Sequence, residues 1–112
     1  MRKLPHQKLL AYEVAMKLLE SVRDARIRDA HLRDQAIRAA KSAVLNTAEA
    51  AGRVTRADKA RAIAIARGEA CEAAAAVEVA VAVAAGEADA AMLDVVLGHA
   101  DRFVALATGF LR

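Results

Sequence analysis

The chain of 112 residues holds one cysteine, one proline, no tryptophan and only three aromatic side chains, Tyr12, Phe103 and Phe110. Each shortage excludes something. A lone Cys71 can form no intrachain disulfide. So few aromatics leave a poor platform for stacking unpaired bases. The five glycines stand singly at positions 52, 68, 86, 98 and 109, so no phosphate-cradling loop is present. His6, His31 and His99 have no ligand spacing, and the Glu-x-x-His pairs of a di-iron bundle do not occur. Glu69 and Glu72 beside Cys71 disfavour a thiolate, so a buried, structural cysteine is expected. The most apolar run, residues 73–85, is short, alanine-rich and broken by Glu78, which is unsuited to crossing a bilayer. The first 22 residues lack the long apolar core and small-residue cleavage site of a leader. The expectation is a non-enzymatic, cytoplasmic protein that uses no metal or cofactor and binds no membrane.

What the chain has is alanine, 31 residues of it. Alanine favours helix but buries little area, so a core built from it needs close helix approach or surface shared with other copies. A homo-oligomer is expected on that ground, and the length suits one domain over residues 1–112. Pro5 can open a first helix, along which Leu10, Val14, Leu18 and Val22 mark one face. Tyr12, Met16 and Leu19 lie beside that face and serve either the core or a contact between subunits. Residues 23–31 read as a connection, or a frayed helix end running into one, with Asp29 placed to cap a second helix over about 32–51 that Gly52 stops. Thr55 caps a third helix, which runs to residue 85 with Gly86 as its stop. The alternating stretch VEVAVAV (residues 77–83) resembles a strand, but its alanine flanks and lack of turn signals keep it helical. Asp89 caps a fourth helix with a seam of Leu93, Val96, Ala100, Phe103, Ala107 and Phe110. Four helices on short connections predict an all-α, antiparallel up-down-up-down four-helix bundle.

Charge is divided along the chain. Residues 1–67 carry +8 and residues 68–112 carry −5. The densest basic region is Arg38, Lys41, Arg53, Arg56, Lys59 and Arg61, able to meet RNA or DNA phosphates without reading bases, or an acidic protein surface. Solvated helix faces of opposite bias are the plainer explanation. A helix-turn-helix fits poorly, because the helix after Gly52 is far longer than a recognition helix.

The second helix carries a polar line. Gln35, Arg38, Ser42, Asn46 and Glu49 step by three and four residues along one stripe, with apolar residues on both sides. One interpretation makes the line structural: Gln35, Ser42 and Asn46 bond to a neighbouring helix and Glu49 pairs with Arg53 or Arg67. The other lines a groove that touches a ligand. On the structural interpretation Glu49 would neutralise a buried arginine and matter more to stability than Glu87.

Residues 35–53, QAIRAAKSAVLNTAEAAGR, resemble the motif Q-x-x-R-A-x-x-S-x-x-x-N-x-A-E-G-x-G-R of the 23S rRNA intervening-sequence family of four-helix bundle proteins. Gln35, Arg38, Ala39, Ser42, Asn46, Ala48, Glu49, Gly52 and Arg53 fall in register. Ile65, Ala66, Arg67 and Gly68, then Glu72, are similar to a second segment, I-A-R-G-S-x-x-E. Ala50 stands where the motif has glycine, and Glu69 where it has serine. The resemblance covers about residues 8–110. It implies an up-down-up-down bundle assembled as a homopentamer. It also implies kinship with the accessory variability proteins of diversity-generating retroelements, basic pentamers that bind a reverse transcriptase and nucleic acid.

Overall fold

A computed structural model describes residues 3–112. Met1 and Arg2, which belong to the basic segment and to the amino-terminal stretch discussed above, lie outside the described residues. The described chain is helical, with no strand. It holds a 3-10 turn, Pro5–Lys8, then α1 (Leu10–Asp24), α2 (Ala30–Gly52), α3 (Arg56–Val83) and α4 (Ala90–Leu111).

Pro5 opens only the short turn, whose start is closed by the Gln7 side-chain oxygen accepting from the Leu4 N–H at 2.8 Å. Leu9 is extended (φ −88°, ψ 128°), so α1 begins anew at Leu10. Val14, Ala15, Leu18 and Val22 of α1 are buried, while Tyr12, Met16 and Leu19 pack half-buried against the same core. The connection over residues 25–29 turns through Arg26, which has φ of 51°, and is pinned by buried Ala25 and Ile27.

Three side chains start the remaining helices by the same local chemistry. Asp29 accepts from the Leu32 N–H, Thr55 from the Asp58 N–H and Asp89 from the Ala91 N–H, each satisfying a donor that the first helical turn leaves free. The helix ends differ from one another. Gly86 sits at φ +83° in the turn after α3, a region open to glycine but costly for other residues. Gly52 does not act as the expected stop. It is the last residue of α2 with ordinary helical backbone, and the chain leaves the helix at Arg53 (φ −77°, ψ 155°).

The stretch of residues 77–83 is helical, and its strand-like alternation has a different meaning. Val77 is fully buried, whereas Val79 and Val83 are 49% and 69% exposed. Of the 25 buried hydrophobic residues among those described, 16 are alanine, so most core positions supply one methyl each, on the order of 0.8 kcal/mol. The large side chains are few. Phe103, Leu18, Val14, Val22, Val77 and Val96 fill the interior.

Packing is most extensive between α2 and α3, followed by α3 with α4, while α1 packs on both α4 and α2. Helices α2 and α4 stand diagonally opposite, with no close approach of their backbones. Gln35 meets Glu72 while Lys59 meets Ala50, and Arg56 meets Phe110 while Arg67 meets Thr108. Such crossings are consistent with an antiparallel up-down order. The particle measures 46 × 31 × 21 Å.

Two polar clasps close its ends. At one, the Glu87 carboxylate accepts from the Asp29 N–H, the Glu87 carbonyl accepts from the Arg28 N–H at 2.8 Å, and the Ala25 carbonyl accepts from the Asp89 N–H at 2.8 Å. At the other, Arg56 donates to the carbonyls of Phe110 (2.6 Å) and Arg112 (3.1 Å), and its guanidinium lies 4.6 Å from the centre of the Phe110 ring. There Lys59 also donates to the carbonyls of Ala50 and Ala51 at 3.2 and 3.4 Å, among the last acceptors of α2.

Candidate nucleic-acid interface

The polar line runs along the outer edge of the α2–α3 contact. Gln35, Ser42 and Asn46 are half-buried, and Arg38 and Glu49 are exposed. Only its first part crosses between helices. Glu72 on α3 faces both Gln35 Nε2, at 3.5 Å, and Arg38 Nη2, at 3.6 Å. The expected interhelix bonds of Ser42 and Asn46 are not made. Asn46 Nδ2 instead donates to the Ser42 carbonyl (2.9 Å) and to Ser42 Oγ (3.1 Å), one turn back on its own helix. A short polar side chain four residues from a hydroxyl finds its partner locally before it can reach a neighbour.

Glu49 pairs with Arg53, and both side chains are about half exposed. The carboxylate holds the Arg53 guanidinium above its ordinary pKa, through the hydrogen bond first and the charge second. Among the described residues no buried arginine depends on Glu49. Arg67, grouped with the line from its place on α3, faces the other way and donates from Nε to Thr108 Oγ1 on α4 at 3.0 Å. No buried side-chain polar atom among the described residues lacks a partner.

The six basic residues fall into three settings. Arg38 and Lys41 project from the middle of α2, Arg38 beside Glu72 and Lys41 into solvent. Arg53 and Arg61 come together across the α2–α3 turn. They line a groove of about 280 Å³ with Asn46, Glu49, Asp58 and Ile65, so two cations there face two carboxylates. Arg56 and Lys59 are drawn into the end clasp, bonded to backbone carbonyls. The group is thus a strip and not one patch: Arg38 and Arg53 lie 15 residues apart, about 22 Å along the helix axis. Lys41 and Arg61 make no ion pair with any described residue.

Several contributors escape inspection of the sequence. Glu87 has no local signal, because its partner is 58 residues away. Arg33, which donates to the carbonyls of Ile27 and Arg28, likewise reads as an ordinary surface cation. Cys71, expected to be buried, is exposed, because the buried stripe of α3 runs through Ala70, Ala73 and Ala74. Among the described residues no three His, Cys, Asp or Glu side chains converge as metal ligands, and no helix is long and apolar enough to cross a membrane.

A search of the curated proteins found no match to the chain. The family model described as 23S rRNA-intervening sequence protein matches residues 7–94. That span holds the polar line, the α2–α3 turn with its basic residues, and three of the four helices entire. On this match, over most of its length, the chain belongs to the 23S rRNA-intervening sequence protein family.

Proposed function

We propose that the protein is a non-enzymatic, cytoplasmic scaffold that assembles with copies of itself and holds RNA or DNA by the phosphate backbone. The observation that carries this is the charge division: +8 within residues 1–67, with Lys41 and Arg61 exposed and free of intrachain ion pairs among the described residues. A family named for an rRNA insertion supports it. With few aromatics and no recognition helix, binding rests on counterion release and falls steeply with salt. In this reading the helices run up-down-up-down, and the particle is a homopentamer, as the resemblance to basic pentameric bundles implies.

Self-assembly has support in the surface itself. Ile65, Glu72 and Val79 repeat every seven residues on α3, which keeps them on one stripe. Ile65 and Val79 are 45% and 49% exposed, and Leu45 on the adjoining side of α2 is 68% exposed. Aliphatic side chains set outward along the largest helix contact suit a face that another copy covers.

A second reading takes the protein as an adaptor for a protein partner such as a reverse transcriptase. Favouring it, Arg38 and Arg53 each already sit beside a carboxylate, and such pairs can re-form across a protein interface. Fluorescence anisotropy with labelled RNA and DNA, across a salt series, tests the first reading. Affinity that drops as salt rises supports it; none at low salt, or affinity indifferent to salt, refutes it. Recovery of a protein partner alone after nuclease treatment favours the adaptor. Native mass spectrometry reads the subunit number.

A further inference from the structure

The end of the bundle that holds the Arg56–Phe110 clasp contains a second, very different recess. It is a cavity of about 320 Å³ between the 3-10 turn, the start of α1 and the ends of α2, α3 and α4. Its wall is apolar, including Leu9, Leu10, Ile63, Phe103, Leu106 and Phe110, with Lys59 the one charged residue on it. Phe103, fully buried, lies beneath the recess, while Leu9 and Leu10 at the opening are 38% and 45% exposed. An apolar recess this open to water gains by being filled.

The cations at its edge specify the occupant. The Lys59 ammonium is fixed there by two carbonyls, which leaves one of its three N–H donors free. Arg56 lies one turn earlier on α3, against the Phe110 ring that forms part of the wall. Lys3 and Lys8 are exposed on the amino-terminal segment that carries Pro5 and Leu9 of the wall. An apolar interior with a cationic rim complements a molecule with an apolar tail and an anionic head. The volume is about twice the roughly 150 Å³ that encloses one benzene ring, which sets the tail at about eight to twelve carbons.

We propose that this cavity binds a single-chain anionic amphiphile of the medium-chain fatty-acid class, its tail against Leu9, Leu106 and Phe110 and its carboxylate on Lys59. The site is separate from the polar line and does not depend on the nucleic-acid reading.

The test is calorimetric titration of the full chain with decanoate below its micellar concentration, alongside decanol and decyltrimethylammonium. Decanoate is expected to saturate at one per chain, decanol to bind about tenfold more weakly and the cation not at all. Lys59→Gln should weaken decanoate about tenfold and leave decanol unchanged, while Lys59→Arg retains decanoate. Ala51→Leu, which occupies part of the cavity, should abolish both ligands with helical circular dichroism and RNA retention unchanged. That last comparison separates failure of this inference from failure of the nucleic-acid reading. The proposal is overturned by equal binding of all three ligands, by decanoate affinity indifferent to Lys59→Gln or to Ala51→Leu, or by no decanoate binding. Attachment to phosphatidylglycerol vesicles without uptake of free decanoate also overturns it, and assigns the basic, apolar end to a bilayer surface.

Discussion

Removing the Glu87 carboxylate tests how the helices are held in register. Its acceptor oxygen meets the N–H of Asp29, the residue that caps α2, and no other side chain is bonded to that N–H. The same residue's backbone carbonyl receives the Arg28 N–H, so the turn before α4 and the turn before α2 are fastened together. Glu87→Ala deletes one charge-assisted hydrogen bond. The freed N–H lies near water and can be solvated, which limits the loss to about 1 kcal/mol, the usual cost of losing a helix cap. For a domain of this size that corresponds to a fall of about 4 °C in melting temperature. Glu49→Ala, by contrast, breaks an exposed pair one turn apart on a single helix, and water replaces it at almost no cost. Urea unfolding followed at 222 nm, at one fixed protein concentration, gives both values. A Glu49→Ala loss equal to or larger than the Glu87→Ala loss would refute the reasoning, because it would place the critical carboxylate on the polar line.

Other substitutions probe the core, the turns and the basic strip. Phe103→Ala empties the largest fully buried side chain and is expected to cost about 3–5 kcal/mol in the same urea experiment; under 1 kcal/mol would mean the core does not depend on it. Gly86→Ala should destabilise by about 1 kcal/mol because its backbone sits at φ +83°, whereas Gly52→Ala, with ordinary helical backbone and open space around it, should stabilise by about 0.4–1 kcal/mol. Opposite signs in thermal melts are the expected result. Lys41→Glu combined with Arg61→Glu should weaken RNA binding and flatten its salt dependence without changing the melting temperature, as read by anisotropy and circular dichroism.

The starts of α2, α3 and α4 were legible because each cap is written within three residues, whereas that of α1 was not, Pro5 opening only the short turn before it. Asp29, Thr55 and Asp89 satisfy donors in their own first turns, and no tertiary knowledge is needed to see it. The helical state of residues 77–83 was legible too, since alanine on both sides outweighs a short alternation. Glycines were less so. Position 86 requires glycine and position 52 does not, yet both follow a helical run in the sequence, and only the backbone angle separates them. Partners of polar residues were the least legible. Ser42 and Asn46 chose each other on one helix, Arg67 chose Thr108, and Glu87 reached across the fold to Asp29. Those choices depend on helix rotation, which a spacing of three and four residues leaves open when alanine surrounds the polar line on both sides.

An interior lined with methyl groups has a mechanical consequence. Bulky side chains mesh like gear teeth and fix how far one rod is shifted along another. The buried positions of α2 and α3 are chiefly alanine, among them Ala36, Ala39, Ala40, Ala43, Ala66, Ala70 and Ala73, which present low, even relief. Axial position is then set from the two extremities, by Glu87 on Asp29 and by Arg56 on the end of α4. Unfastening either extremity removes one of the two stops that hold axial position, and with it a constraint on where the outward row Ile65, Glu72 and Val79 stands.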